Sequence, residues 1–156
     1  MAKTNSKSTA IKLDAPKDLS DHPFYGFELD DDQKVFRDAI WNSENLIVFC
    51  NARAGTGKTL IATATADLLV KYGLYDGVVY IVSPVQESKS GFLPGDADEK
   101  TRVYTEPLYN ALSKIGVNPM TAVNQESIMN QKQGTGYIDC LSHLWLRGCN
   151  LENKVI

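Results

Sequence analysis

The sequence has few of the features that mark membrane, secreted or metal-binding proteins. No apolar run approaches the roughly 20 residues that a membrane-spanning helix needs, and the amino-terminal segment lacks the apolar stretch of a secretory signal. The three cysteines, Cys50, Cys140 and Cys149, form no CxxC pair, which disfavours both a disulfide framework and a zinc ribbon. These absences predict a protein of the reducing cytoplasm with no membrane partner.

Charge and length narrow the class further. The formal net charge is −3, so bulk charge does not predict nucleic-acid binding, although a local basic groove is compatible with it. The 156 residues, 43% of them hydrophobic, suit one globular domain. Residues 1–20 are polar and aperiodic and are predicted to be a flexible tail, whereas residues 21–156 are predicted to form the folded domain.

Helical periodicity first appears after three consecutive aspartates. Val35, Phe36, Ala39 and Ile40 recur at helical spacing and predict a helix that buries this face. Asp30–Asp32 stand where that helix would begin, and a carboxylate there caps free N–H groups and complements the helix dipole. We therefore expect capping by these aspartates rather than a metal site.

The next segments alternate between strand-like and helix-like patterns. The continuous apolar run Leu46–Cys50 predicts a strand buried on both faces, as in a parallel sheet. A helix is predicted from Lys58 to Tyr72, with Gly73 at its carboxyl-terminal cap, and Val78–Val82 predicts a second buried strand. Strand, glycine-rich loop, helix and strand in this order predict an α/β fold, with ligands at the carboxyl ends of parallel strands.

The later part of the chain is predicted to continue the same architecture. Pro107 suits the first turn of a helix with an apolar stripe over residues 108–115, and Gly116 closes it. A weaker helical stretch at 127–133 and a short strand at 137–140 follow.

The strongest chemical signal is the loop between the first predicted strand and its helix. Residues 52–59 read ARAGTGKT, the phosphate-loop pattern with Ala52 in place of the usual first glycine, which suits the loop if its backbone angles are ordinary. Gly55 and Gly57 allow backbone N–H groups to point inward at an anion, and the helix N-terminus adds its dipole. The candidate nucleotide-binding residues of the loop are Ala54, Gly55, Thr56, Gly57, Lys58 and Thr59.

Two of these residues are also the candidate catalytic residues. Lys58 would supply a positive charge to the β and γ phosphates, and Thr59 would offer its hydroxyl to Mg²⁺ as the candidate metal ligand. Gln33 lies upstream on the first predicted helix, and its amide presents a donor and an acceptor that match the N6 and N7 edge of adenine. An exposed helical Gln without a ligand is the alternative interpretation.

Four stretches make the sequence similar to the PhoH family of P-loop ATPases, from about residue 32 to residue 156. The segment GFLPGD is the most specific of them, whereas many families share the phosphate loop. The stretches are Asp32–Lys34; Ala54–Thr59; Gly91–Asp96 with Glu99, Lys100 and Pro107–Leu112; and Gly136–Asp139 with Arg147, Gly148 and Leu151–Ile156.

The resemblance implies a P-loop NTPase with a RecA-like open parallel sheet flanked by helices, and features of RNA and DNA helicases. By the same resemblance Gln33 would contact adenine, Lys58 the phosphates and Thr59 the metal. The implied cofactors are ATP and Mg²⁺. The full-length form is implied to be an ATPase coupled to RNA or another single-stranded nucleic acid.

The carboxyl-terminal end departs most from the family pattern. Relatives follow the final strand with an acidic Walker B segment, whereas this chain stops at Ile156, where that strand begins. Hydrolysis needs a carboxylate that holds Mg²⁺, and Asp139 and Glu152 are expected to be solvated or capping because neither follows a suitable apolar run. We therefore expect a truncated chain, with a sheet that is incomplete at the carboxyl terminus.

Several alternatives stay open. The chain is otherwise a module that binds ATP without hydrolysing it, a P-loop NTPase of another class (a GTPase or a kinase), or an unstable fragment with an exposed sheet edge. The acidic loop 91–99 has two interpretations of equal weight, a solvated turn or a lid or subunit contact, as in a homo-oligomer. Cys140 and His143 lack a further ligand, so we expect a packed or solvated His rather than a metal site.

Overall fold

The computed structural model describes residues 14–83, 97–124, 136–143, 146–147 and 149–156, with only the backbone of residues 97–103 and 142. The predicted helix at 127–133 and the GFLPGD segment lie outside these residues. In chain order the elements are a 3-10 turn at Phe24–Gly26, helices and strands α1 (Asp31–Trp41), α2 (Lys58–Lys71), β1 (Gly77–Val82), α3 (Ala97–Lys114), α4 (Pro119–Ala122), β2 (Val123–Asn124), β3 (Ile138–Ser142) and β4 (Lys154–Val155).

The four described strands form one parallel sheet in the order β2-β3-β1-β4. Val78 of β1 lies opposite Ile138 of β3 on one side and Val155 of β4 on the other. At the far edge Val123 of β2 also pairs with Ile138. A parallel sheet flanked by helices confirms the predicted α/β fold class. None of the helices in the described ranges is both long and apolar enough to cross a bilayer.

Helix α2 is buried along most of its length and packs against α1, α3 and β1. Its predicted apolar face is confirmed, since the following residues are all buried: Ile61, Ala64, Thr65, Leu68 and Leu69. The predicted stripe of α3 is confirmed by the burial of Leu108, Ala111, Leu112 and Ile115. Gly73 and Gly116 follow the two helices with φ of 69° and 74°, the left-handed conformation expected of a glycine cap.

Helix α1 forms as predicted, and Phe36 and Ile40 of its predicted face pack against the core. Val35 is 69% exposed, whereas Arg37 and Trp41 are buried, so the predicted face is wrong at its first residue. The predicted capping is confirmed: Asp30 Oδ1 accepts a hydrogen bond from the Gln33 N–H at 2.8 Å. Periodicity located the helix, but the neighbouring elements decided which side of it is covered.

The apolar run Leu46–Cys50 does not form the predicted strand. Leu46, Ile47 and Phe49 are 94%, 74% and 92% exposed, and the run borders a groove of about 730 Å³ between itself, α2, β1 and β4. A strand needs a hydrogen-bonding neighbour as well as apolar side chains, and none of the four described strands pairs with this run. The hydropathy pattern alone was therefore insufficient to establish a strand.

Helix α3 begins at Ala97, so the prediction that Pro107 occupies its first turn is wrong. A proline inside a helix removes one N–H and crowds the preceding turn, at a cost of about 3 kcal/mol. Thr105 and Leu108, on either side of the proline, are both buried, so tertiary packing opposes this cost. The helical backbone before Pro107 also accepts a hydrogen bond, from the Tyr80 hydroxyl to the Tyr104 carbonyl at 3.5 Å.

The described amino-terminal residues pack on the domain before residue 21. Leu19 is fully buried, and the Trp41 indole N–H donates to the Pro16 carbonyl at 3.3 Å. Phe24 is also buried, and the next residue, Tyr25, has a φ of 59°. This left-handed conformation is uncommon for a residue with a side chain, so contacts elsewhere must hold Tyr25 in place.

Asp67 of α2 provides such a contact and links three parts of the chain. Its buried carboxylate accepts hydrogen bonds from the hydroxyls of Tyr25 and Tyr137, and the Lys71 Nζ lies 2.6 Å from its Oδ2. Burial first, and then the hydrogen bond to Asp67, raise the pKa of both tyrosines, so these hydroxyls stay protonated donors at neutral pH. The Asp67 cluster therefore joins the amino-terminal turn, α2 and the beginning of β3.

Candidate phosphate-binding site

The backbone of the glycine-rich loop has the conformations that the residue pattern predicts. Gly55 and Gly57 have φ of 82° and 81°, and no atom lies within 4 Å of a Cβ built on Gly55. A residue with a side chain adopts this conformation only with strain, which explains the two glycines. Ala52 is not among the non-glycine residues of positive φ in the described ranges, so its departure from the family pattern meets the condition set by the sequence.

The loop leads directly into the N-terminus of α2. Gly57 is the residue before the helix, and the Ile61 N–H donates to its carbonyl at 2.9 Å. The N–H groups at the start of a helix have no partner within the helix, and the helix dipole makes this end positive. The first turn of α2 contains no acidic residue that would neutralise it. This end of α2 is therefore suited to an anion.

The Lys58 side chain folds back over the loop. Its Nζ donates to the carbonyl of Ala52 at 2.8 Å and to the carbonyl of Arg53 at 2.6 Å. The Thr56 hydroxyl donates to the same Arg53 carbonyl at 2.9 Å. The ammonium is thus held at the mouth of the loop by neutral acceptors, and phosphate oxygens would be stronger, charged acceptors at the same place.

A groove of about 280 Å³ opens beside the loop, between the start of α2 and the last turns of α3. Its lining residues are Gly55, Gly57, Lys58, Thr59, Leu60, Pro107, Asn110, Ala111 and Lys114. Sequence reasoning missed Asn110 and Lys114. Their spacing from Pro107 places them on one face of a helix, but nothing in the sequence indicated that this face lies against the phosphate loop.

Gln33 is brought to the loop from α1. Its Nε2 donates to the Thr56 carbonyl at 3.2 Å, and its Oε1 accepts from the Asp30 N–H at 3.1 Å. A Cβ built on Gly57 would lie 3.5 Å from the Gln33 Nε2. The structure therefore brings Gln33 together with the loop, and both polar atoms of its amide make contacts within the chain.

Asp139, which was expected to be solvated or capping, is instead part of a network between strands. It accepts a hydrogen bond from the Asn124 Nδ2 at 2.8 Å, and the Lys154 Nζ lies 3.3 Å from its other oxygen. Asp139 is the second residue of β3, whereas parallel strands present ligands at their carboxyl ends, here Ser142. Glu152 is exposed. The partners of Asp139 are thus accounted for at the opposite end of β3.

Cys140 and His143 differ in their exposure to solvent. His143 is exposed, and burial raises the pKa of the Cys140 thiol to about 11, so the thiol stays protonated at neutral pH. Across the described parts of the chain, no three His, Cys, Asp or Glu side chains come together as a set of metal ligands.

Comparison with known proteins relates the whole site to one family. The sequence model of the family described as PhoH-like protein matches residues 28–156. PhoH-like proteins of Bacillus subtilis (strain 168) and Mycobacterium tuberculosis (strain ATCC 25618 / H37Rv) are 33% and 40% identical to this chain over 113 and 126 residues, 72% and 80% of its length. Protein PhoH of Escherichia coli (strain K12) is 29% identical over 113 residues, 70% of this chain.

The same alignments cover 33%, 33% and 30% of those three relatives, so the chain spans about a third of the length of the curated relatives it matches. No solved structure matches the chain. The family match includes the phosphate loop, Gln33 and all of α2 and α3. Because the family model covers most of its length, the chain belongs to the PhoH-like family.

Proposed function

We propose that this chain binds ATP together with Mg²⁺, and that the loop and the N-terminus of α2 hold the triphosphate. The observation that carries the proposal is the position of the Lys58 ammonium, folded onto the loop carbonyls directly before α2. Gly55 and Gly57 support it, because their left-handed conformations let consecutive N–H groups face an anion. Membership of the PhoH-like family supports ATP as the nucleotide.

The donor set of the site fits a phosphate chain with one magnesium ion. The proposed ligands of the phosphates are the loop residues Ala54, Gly55, Thr56, Gly57 and Lys58, and Thr59 is the proposed protein ligand of the metal. Magnesium takes few protein ligands and otherwise water and phosphate oxygens, and when bound it neutralises charge on the β and γ phosphates. The residues that line the groove beside the loop include no carboxylate, so no negative side chain among them would repel the phosphates.

Competition binding to the wild-type chain tests this proposal. We expect ATP and inorganic tripolyphosphate, each with Mg²⁺, to displace a fluorescent ATP analogue, and AMP to displace it much less, because the site recognises the phosphate chain. A cooperative thermal melt of the same sample establishes that the protein is folded. A folded chain that binds none of these ligands, or that AMP and ATP occupy equally, contradicts the proposal.

Lys114 provides a second test, because it lines the groove opposite Lys58. Lys114→Ala is expected to weaken the binding of tripolyphosphate about threefold, the effect of one exposed charge near an anion. The effect should shrink as salt is raised, since salt screens exposed charges. Isothermal titration at two ionic strengths measures it, with Lys17→Ala as a charge-matched control outside both grooves. An equal loss of affinity in Lys114→Ala and Lys17→Ala would show that Lys114 does not contribute specifically to phosphate binding.

The proposal for ATP hydrolysis and nucleic-acid coupling concerns a full-length protein, because this chain spans about a third of the length of its relatives. We infer that in a full-length protein the bound ATP is hydrolysed and that hydrolysis is coupled to RNA or another single-stranded nucleic acid. The family resemblance alone supports this inference. RNA-stimulated phosphate release by a full-length relative, abolished by the equivalent of Lys58→Ala, is the expected result.

A module that binds ATP without hydrolysing it is the second candidate. The specific observation in its favour is the position of Asp139, whose two oxygens are engaged by Asn124 and Lys154 away from the loop. Phosphate release measured beside the binding assay separates the two functions. Release by this chain that Lys58→Ala abolishes identifies an ATPase, whereas binding without release by both this chain and a full-length relative identifies the module.

A further inference from the structure

We propose that Gln33 is a positioning residue that holds the phosphate loop in its binding conformation, independently of the base that follows the phosphates. The proposal deepens the proposed function and rests on it for the ligand. Gln33 joins two structures that are distant in sequence, the first turn of α1 and the loop before α2. The joining contacts are the hydrogen bonds of its side-chain amide.

The first contact fixes Gln33 on its own helix. Asp30 and Gln33 form a capping box, in which the Asp30 carboxylate accepts from the Gln33 N–H and the Gln33 Oε1 accepts from the Asp30 N–H. A capping box satisfies two N–H groups that otherwise have no partner at the helix start. The capping box therefore restrains the Gln33 side chain independently of its contact with the loop.

The second contact fixes the loop. The Gln33 Nε2 donates to the Thr56 carbonyl, at the residue between the two left-handed glycines. That carbonyl belongs to the peptide that enters Gly57, the residue before α2. Glycine has the greatest conformational freedom of all residues. The hydrogen bond to Thr56, which lies between Gly55 and Gly57, therefore restrains the most flexible part of the loop.

Reading adenine would require the same atoms. A Gln side chain recognises the N6 and N7 edge of adenine with its oxygen and its nitrogen together. Here the oxygen faces the Asp30 N–H and the nitrogen faces the Thr56 carbonyl. In this arrangement the amide points along the protein backbone from α1 to the loop, and its contribution to binding is to reduce the cost of ordering the loop around the ligand.

The test compares three ligands and two variants. Gln33→Ala removes the contact with the loop and one half of the capping box, whereas Asp30→Ala removes the other half of the box and leaves the Gln33 Nε2 in place. We expect Gln33→Ala to lower affinity about fivefold, the effect of one hydrogen bond, and equally for ATP, GTP and inorganic tripolyphosphate. Asp30→Ala should lower it less for all three.

A second measurement requires no ligand. Hydrogen exchange of the backbone amides in the peptide that spans residues 52–58 should be faster in Gln33→Ala than in Asp30→Ala and in wild type. A helix cap with no role in the loop would not change this peptide. Hydrogen exchange tests the positioning role without any ligand. If wild type fails to bind tripolyphosphate, that result contradicts the proposed function and leaves the exchange test of Gln33 valid.

Two outcomes overturn the proposal. A loss confined to ATP, with tripolyphosphate binding unchanged, identifies Gln33 as an adenine-reading residue. Exchange in residues 52–58 that is the same in Gln33→Ala and wild type shows that the contact with Thr56 does not restrain the loop.

Discussion

Lys58→Ala is expected to lower the affinity for Mg²⁺-ATP on the order of 100-fold. The reason is that hydrogen bonds from a charged ammonium to phosphate are stronger than those from the neutral backbone N–H groups of the loop. In the part of the chain that the structure describes, the Lys58 ammonium donates to the carbonyls of Ala52 and Arg53. Both residues are exposed, so water replaces the ammonium there. The melting temperature should therefore stay unchanged while binding is lost.

The control for this prediction is Lys34→Ala. Lys34 carries the same charge on α1, pairs with Asp31 at 3.3 Å and lines neither groove. Its removal changes the net charge by the same amount and should leave affinity within about twofold of wild type, as exposed pairs contribute little. Titration calorimetry of both variants decides the matter. If Lys58→Ala binds ATP as wild type does, the loop is not the phosphate site.

Asp67→Ala is expected to lower the free energy of unfolding by about 3 kcal/mol, because removing a buried carboxylate leaves its donors without an acceptor. The hydroxyls of Tyr25 and Tyr137 lose their shared partner, and the Lys71 ammonium, which is half-exposed, turns to water. The Asp67 cluster links three segments, so its loss also frees the amino-terminal turn. Urea unfolding at neutral pH measures the change.

A matched series separates the charge of Asp67 from its hydrogen bonds. Asp67→Asn keeps one acceptor oxygen and should lose less stability than Asp67→Ala. A double-mutant cycle with Tyr25→Phe measures the coupling between Asp67 and Tyr25, which we expect to be favourable. Asp31→Ala, at a carboxylate that is 99% exposed, should lower stability by less than about 1 kcal/mol. Additive effects of Asp67→Ala and Tyr25→Phe would show that the two side chains are independent.

The backbone conformation of the glycine-rich loop could be predicted from the sequence because it depends on residues that are close together in the chain. Two glycines that adopt left-handed conformations, a lysine and the start of a helix occupy consecutive positions, and local sterics determine their backbone. The Asp30 cap of α1 was predictable for the same reason, since a cap bonds within one helical turn.

The partners of the loop could not be predicted, because they come from elements distant in sequence. The sequence suggested Gln33 as a site residue by its distance from the loop, but the contact with the Thr56 carbonyl depends on how α1 packs against α2. Asn110 and Lys114 reach the loop only because α3 packs against the same helix. Hydropathy patterns predict that a face is covered but do not identify what covers it.

The sequence by itself determined the fold class, the family, the helices α1 and α2 and the backbone conformation of the glycine-rich loop. Only the tertiary structure decided where packing overrides local preference. Leu46–Cys50 has the composition of a strand but no strand beside it, and Pro107 lies inside α3, where the packing of buried residues on both sides opposes its cost. The reason is physical: local conformation depends on neighbouring residues, whereas strand pairing and helix burial depend on contacts between segments that are far apart in the chain.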